Sequence, residues 1–432
     1  MDRLIVTGGA RLEGRVAASG SKNAVLPCMA AALLTDEPVI LHRVPDLRDV
    51  RTMAQILERL GVRCTRDGGT LTLQCTTGGA PSVAPYDLVS TMRASISVLG
   101  PLIARRGEAR VSMPGGCVFG VRPVDQHVKG LNVLGAEIAV DGGYLVSNVR
   151  RPLKGADMFL GTRFGSSVLA TTNVVTAAVL ARGLTCLENA AMEPEVAEVC
   201  RLLNSMGASI SGVGGHKLLI EGSRELHGAE HVMSGDRIEA ATFLVGGAMT
   251  RGDVRVDGVD PTQLTVVIET LLEMGVDVDR GQDWLRVRAD TALRPVDVTT
   301  MPYPGFPTDL QAQFMAAMCV ADGISVVTER IFPDRFMHVA ELLRLGADVR
   351  KEGPQAIVKG VPRLSGATVM ASDLRASAAL LLAGLVADGE TEIRRVYHID
   401  RGYERIDDRL RELQGHVRRE AQPPVEATPL DW

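Results

Sequence analysis

The apolar positions of this chain fall into a pattern that repeats. A helical run closing on an apolar residue, then Gly, then Ala or Val, recurs at Leu60-Gly61-Val62, Leu134-Gly135-Ala136, Met206-Gly207-Ala208, Met274-Gly275-Val276 and Leu345-Gly346-Ala347, with a period of about 70 residues. The glycine is where a helix ends in a left-handed cap. The alternating segment after it reads as a strand, as in Thr70-Leu71-Thr72-Leu73 and Lys217-Leu218-Leu219-Ile220. A sixth copy closes at Leu413-Gln414-Gly415, where the pattern is blurred. Within a copy a long apolar helix comes first, for example Ala376 to Ala387 ending at Asp388-Gly389. A strand follows, such as Thr391-Glu392-Ile393, then an irregular bend and a second, amphipathic helix such as Tyr403 to Leu413. Strands alternating with helices predict an α/β class, and six similar units over two domains predict three per domain.

The repeat also aligns the starts of the first helices. Counting back from each glycine lands on Lys22, Arg93, Arg163, Arg237, Asp309 and Arg375, behind capping residues such as Ser21, Thr91, Thr162, Asp236 and Thr308. A cation in the first turn opposes the helix dipole and costs stability unless an anion is bound there. Several such termini together make a phosphate or carboxylate site. Any one of these residues could instead reach solvent or pair with a nearby acid, Arg237 beside Glu239 above all, but cations at five equivalent positions favour the ligand. Second-helix starts repeat the theme with Arg48, Arg335 and Arg401, which predicts a polyanionic ligand. Asp309 is the exception, a carboxylate where its siblings carry a cation. It reads either as a general base among arginines or as an ordinary first-turn acid.

A chain of 432 residues suggests two domains of roughly 200 residues each. Aromatics make up only 3%, so the cores are aliphatic and a base-stacking surface is not expected. The net charge of −5 leaves any anion affinity to local clusters, which argues against bulk nucleic-acid binding. Seven cysteines without a C-x-x-C pair, and no charged-then-apolar leader, predict a reduced, cytosolic protein. The longest apolar run, near Ala378 to Ala387, is too short to span a bilayer. No Walker loop, Rossmann fingerprint, H-E-x-x-H or paired-cysteine zinc pattern occurs, so no cofactor or metal is called for.

One segment concentrates chemistry: Met113-Pro114-Gly115-Gly116-Cys117-Val118-Phe119-Gly120-Val121-Arg122-Pro123-Val124-Asp125-Gln126-His127. Its glycines allow hinging and close approach to a ligand, and Arg122 would favour a thiolate at Cys117. Cys117 is then a reactive thiol, or it is one more small packed thiol; composition does not choose.

These residues resemble those of the UDP-N-acetylglucosamine 1-carboxyvinyltransferase family of enolpyruvyl transferases. The resemblance runs from about Leu12 through Arg411. It rests on the segment above and on Ser19-Gly20-Ser21-Lys22-Asn23-Ala24, Thr91-Met92-Arg93-Ala94-Ser95, Glu188-Asn189-Ala190-Ala191 and Phe306-Pro307-Thr308-Asp309. Arg335-Phe336-Met337-His338, Asp373-Leu374-Arg375-Ala376-Ser377 and the run from Tyr397 to Arg405 complete it. The sister family acting on shikimate 3-phosphate carries G-D-K-S where this chain has Gly20-Ser21-Lys22-Asn23.

The resemblance implies an inside-out α/β barrel of two similar three-repeat domains, 1–21 with 233–432 and 22–232, around a cleft. It implies transfer of enolpyruvyl from phosphoenolpyruvate to the 3-hydroxyl of UDP-N-acetylglucosamine with release of phosphate, the step that opens peptidoglycan synthesis. In that scheme Cys117 is the acid toward the methylene carbon and the target of fosfomycin, and Asp309 deprotonates the sugar hydroxyl. Lys22, Arg122 and Arg401 clamp phosphoenolpyruvate. Arg335, Asp373 and Arg375 are further cleft positions, and Asn23, Arg93, Arg122, Pro123, Val124, Asp125, Gln126, His127 and Ile331 contact the sugar nucleotide. The glycine loop around Cys117 acts as a lid. Arg48 stands where many members have Lys, which alters donor geometry. Gly161-Thr162-Arg163-Phe164 departs from the usual Lys-x-Ser-Val run, with Arg163 able to restore the cation. That departure leaves open a paralogue with another acceptor. A silent binding protein is the remaining alternative, opposed by the joint presence of Lys22, Cys117, Asp309 and Arg401. The Pro-rich tail from Ala421 reads as disordered.

Overall fold

The computed structural model describes residues 2–76, 80–113, 124–149, 152–161 and 165–421. Among them the strands build six four-stranded sheets of one design. In each, an edge strand runs parallel to its neighbour, and the next two strands are antiparallel in turn. Ala229–Val232 lies beside Val39–His42, then Thr70–Cys75, then Val62–Asp67, with Val39 opposite Leu73 and Leu41 opposite Leu71. Strands such as Trp284–Arg288 and Gln355–Lys359 bury alternate side chains, so a sheet buries one face.

The helices divide into two kinds. Those that come first in a copy are buried all round: every residue of Gln311–Met318, 170–178 within Val168–Ala178, and 375–385 within Leu374–Val386. They pack on one another, Leu374–Val386 against Gln311–Met318 and Leu99–Arg106 against Val168–Ala178. The second helices bury a single face, as Arg48–Arg59 does with Asp49, Val50, Met53, Ile56 and Leu57. The fold is therefore mixed α/β, with the first helices buried and each sheet burying one face. The expected inside-out barrel is not seen as a closed barrel: each four-stranded sheet ends at two edge strands, and among the described residues none returns on itself.

The chain forms two compact units. One comprises Met1–Ala17, Ile238–Thr299 and Thr308–Trp432; the other comprises Ala18–Arg237 and Thr300–Pro307. In the first, the strand Asp2–Thr7 is inserted between Glu390–Arg394 and His416–Ala421, so the sixth copy takes one of its strands from the start of the chain.

The glycines of the repeat take the left-handed conformation that ends each helix. Their φ values are 83° at Gly61, 95° at Gly135, 96° at Gly207, 84° at Gly275 and 86° at Gly346. In the sixth copy that conformation falls on Gln414, with φ 68°, which is why the pattern blurs there. The helix expected from Ala376 spans Leu374–Val386. The one expected over Tyr403 to Leu413 is shorter, Ile406–Glu412, because Arg405 before it has φ 46°. Ala421 ends the last strand, and the rest of the expected tail, 422–432, lies outside the described residues. No helix among the described residues is long and apolar enough to cross a membrane.

Candidate functional site

A single 3-10 turn, Thr308–Leu310, introduces helix Gln311–Met318 and carries Asp309. Arg335 donates from one Nη to Asp309 Oδ1 at 2.9 Å and to Thr308 Oγ1 at 2.9 Å. Arg375 donates to Asp309 Oδ2 from Nη2 at 3.0 Å and from Nε at 3.3 Å. Two guanidiniums thus converge on one carboxylate. Arg335 is 6% and Arg375 1% exposed, whereas the Asp309 side chain keeps 26% of its surface, so a ligand arriving here meets the carboxylate first. Both cations favour its ionised form.

The surroundings fix this trio. Asp373 caps helix Leu374–Val386, accepting from the amides of Arg375 and Ala376 at 2.9 and 3.1 Å, and so sets the backbone from which Arg375 departs. The Arg375 guanidinium lies 5.3 Å from the Tyr403 ring centroid. The Tyr403 hydroxyl meets Thr242 Oγ1 at 3.0 Å and Gln313 Nε2 at 3.2 Å, and the same Nε2 donates to the Asp309 carbonyl at 3.0 Å. Glu329 is fully buried. It accepts from Thr308 Oγ1 at 2.9 Å and from the amides of Ile331 and Phe332 at 2.8 and 2.9 Å, tying the turn that carries Asp309 to the segment that carries Ile331 and Arg335. His338 is buried, and burial together with the nearby Arg335 guanidinium holds its pKa down at about 4 against the pull of Asp373.

Sequence reasoning singled out Asp309, Arg335, Asp373 and Arg375, which this unit brings together, and missed Glu329, Gln313 and Tyr403. A buried polar residue looks like any other in one sequence. Two expectations are corrected. Arg335 precedes helix His338–Arg344 and Arg401 ends the turn Val396–Arg401, so neither opens a second helix.

In the second unit Lys22 opens helix Lys22–Ala31, followed by Asn23. The Lys22 ammonium meets the buried Asp49 carboxylate at 3.0 Å, and its amide donates to Asp236 Oδ2 at 3.0 Å. Asp236 does the capping expected of Ser21, whose side chain makes no cap bond. Arg237 is buried and paired in a fork with Glu195 at 2.9 and 3.2 Å. Glu239, the partner the sequence suggested for it, meets Arg409 at 2.7 Å. Arg48 opens Arg48–Arg59 and Arg93 opens the 3-10 turn Arg93–Val98. The third copy's helix begins at Val168 under a Ser167 cap, beyond Arg163.

Lys22, Arg237 and Arg375 each meet an internal carboxylate that offsets the dipole cost, and Arg335 shares the carboxylate of Arg375. Val124 is buried, and Asp125 opens helix Asp125–Val133. Gln126 reaches Asp125 Oδ2 at 3.0 Å and accepts from the Gly161 amide at 3.0 Å. His127 turns inward: it is 2% exposed, its Nδ1 is 2.8 Å from Asn173 Nδ2, and burial, reinforced by Arg93, lowers its pKa to about 3. Cys117, Arg122, Pro123 and Arg163 lie outside the described residues.

A family model described as EPSP synthase (3-phosphoshikimate 1-carboxyvinyltransferase) matches residues 6–410. Among solved structures, the enolpyruvyl transferase NikO from Streptomyces tendae is 26% identical at a TM-score of 0.87, over 98% of this chain and 99% of that one. An EPSP synthase from Acinetobacter baumannii is 19% identical at a TM-score of 0.76, over 98% of this chain and all of that one.

Proposed function

The chain belongs to the EPSP synthase family of enolpyruvyl transferases, and from that premise we propose that it transfers the enolpyruvyl group of phosphoenolpyruvate to the 3-hydroxyl of UDP-N-acetylglucosamine, releasing phosphate and opening peptidoglycan synthesis in the cytoplasm. The observation that carries the reading is Asp309 held between Arg335 and Arg375, a half-buried carboxylate on a buried cationic base. The choice of acceptor rests on the motifs of the sequence, Gly20-Ser21-Lys22-Asn23 in place of G-D-K-S above all.

The chemistry runs by addition and elimination. Cys117 gives its proton to the methylene carbon of phosphoenolpyruvate, which leaves positive charge on the central carbon. The sugar 3-oxygen adds there as its proton passes to Asp309, forming a phospholactoyl intermediate. The methyl group then returns a proton to the thiolate, the bond from carbon to phosphate oxygen breaks, and phosphate leaves carrying the proton that Asp309 had taken. Lys22, Arg122 and Arg401 hold the phosphate and carboxylate and stabilise the charge that moves between them. Asn23, Arg93, residues 122–126 and Ile331 contact the nucleotide.

Mixing the folded protein with both substrates and following phosphate tests the reaction; no release above a heat-killed control overturns it. Fosfomycin is expected to abolish turnover of the unmodified protein, and Cys117→Asp is expected to stay active and become resistant. A second reading, the same chemistry on another acceptor, is favoured by Gly161-Thr162-Arg163-Phe164 and is separated by offering competing UDP sugars.

A further inference from the structure

Arg401, a clamp residue in the proposed reaction, ends a 3-10 turn, Val396–Arg401, on an awkward stretch of backbone. Arg395 on one side has φ 60° and Arg405 on the other has φ 46°. Neither is glycine, and left-handed backbone at a non-glycine residue persists where surrounding contacts over-determine it. The short helix that follows, Ile406–Glu412, is only two turns long and adds little stiffness by itself. Something outside the segment has to hold it.

That holder is on the last strand. Arg419, on His416–Ala421, grips Asp400 in a fork, Nη1 to Oδ2 at 3.0 Å and Nη2 to Oδ1 at 2.8 Å. From the same guanidinium, Nε and Nη2 reach Asp407 Oδ1 at 3.3 and 3.2 Å, and Nη1 reaches Asp2 Oδ2 at 3.4 Å. Asp400 is the residue before Arg401, and Asp407 lies in the first turn of the helix beyond the bend. One planar cation therefore pins the segment on both sides of Arg401 and fastens it to a strand that pairs with the start of the chain. A fork of this kind fixes orientation as well as distance, which a lysine cannot do.

We propose that Arg419 is a positioning residue for phosphoenolpyruvate binding: by gripping Asp400 and Asp407 it sets the place of Arg401. The inference rests on the reading of Arg401 as a clamp on that substrate. It gives the last strand a part in the reaction.

The test uses the full chain in steady-state phosphate release, with KM measured separately for phosphoenolpyruvate and for the acceptor. Arg419→Met is expected to lower kcat/KM for phosphoenolpyruvate roughly 10- to 100-fold, as a displacement of about 1 Å does, while the acceptor KM moves little. Arg419→Lys keeps the charge without the fork and is expected to fall between; it is also the fallback if Arg419→Met does not fold. Asp400→Asn combined with Arg419→Met is expected to lose little beyond either alone. A purely structural role would lower the melting temperature and the active fraction and leave KM for phosphoenolpyruvate unchanged; that result in both Arg419 variants overturns the inference. Arg401→Ala separates the two levels. If it too leaves that KM unchanged, the clamp reading falls and the inference with it. If it raises the KM while the Arg419 variants do not, only the inference falls.

Discussion

The two units answer the same electrostatic problem differently. In the unit of Lys22, cations at helix starts meet separate carboxylates, Lys22 with Asp49 and Arg237 with Glu195. In the unit of Asp309, two arginines share one carboxylate. Each separate pair carries no net charge. A shared carboxylate leaves the trio with one net positive charge, and its most exposed member is the group a substrate hydroxyl would need. Equivalent positions of the repeat thus carry one-to-one ion pairs in one unit and a shared carboxylate in the other.

The sharpest way to break this comparison is to remove one carboxylate from each unit. Asp309→Asn leaves two buried guanidiniums facing a neutral amide, and Glu195→Gln leaves one. Stripping the partner from a buried charge costs about 3–5 kcal/mol. The Glu195 variant is expected at the low end, because Glu193 also acts electrostatically on Arg237 and remains beside it. The activities should part company. Asp309→Asn is expected to lose roughly 10²- to 10⁴-fold in turnover, the usual worth of a placed acid or base. Glu195→Gln is expected to stay within a few-fold per folded molecule. Urea melts and phosphate release on the same samples decide it; equal losses of turnover would erase the distinction.

Much of the fold was legible because it rests on local rules. Left-handed helix ends demand glycine, so Gly61, Gly135, Gly207, Gly275 and Gly346 could be read directly, and buried helices betray themselves by unbroken apolar runs. Asp309 was legible as the odd member of an aligned set. The partners were not. Asp49, Glu195 and Glu329 sit at unremarkable positions, and which cation each meets is fixed by packing between distant segments. His127 misled in the opposite sense, since a histidine behind Arg122 and Asp125 reads as a ligand contact, yet it turns into the core against Asn173.

Acid provides a second, smaller probe, because each unit buries a neutral histidine. The pKa is lowered to about 4 at His338 and to about 3 at His127, in each case chiefly by burial. Against about 6.5 when unfolded, the unfolded chain binds protons that the folded one refuses. Stability is therefore fully present above about pH 6.5 and declines as the pH falls toward the folded values, by on the order of 3 kcal/mol for His338 and somewhat more for His127. Thermal melts at pH 7 and pH 4.5 should show His338→Asn and His127→Asn each flattening the decline. If neither changes the slope, these imidazoles are not what acid attacks.

The smallest expected effect bears on the last strand. Five repeats end a helix on a left-handed glycine; the sixth uses Gln414 at φ 68°. Its amide still donates to the Arg411 carbonyl at 2.9 Å and that of Gly415 to Leu410 at 2.7 Å, so the turn is formed despite the side chain. Left-handed backbone costs a side-chain-bearing residue about 1–2 kcal/mol, and the extra freedom of glycine in the unfolded chain takes back about 0.4–1 kcal/mol. Gln414→Gly is then expected to stabilise the protein by about 0.5–1 kcal/mol, a rise of roughly 1–3 °C in Tm by calorimetry. KM for phosphoenolpyruvate should not move, because Arg419 keeps its grip on Asp400 whether or not the turn before the strand is strained. A firmer strand with an unchanged KM, set beside an Arg419 variant with a raised one, would assign the placement of Arg401 to the guanidinium itself and not to the stability of the strand that carries it.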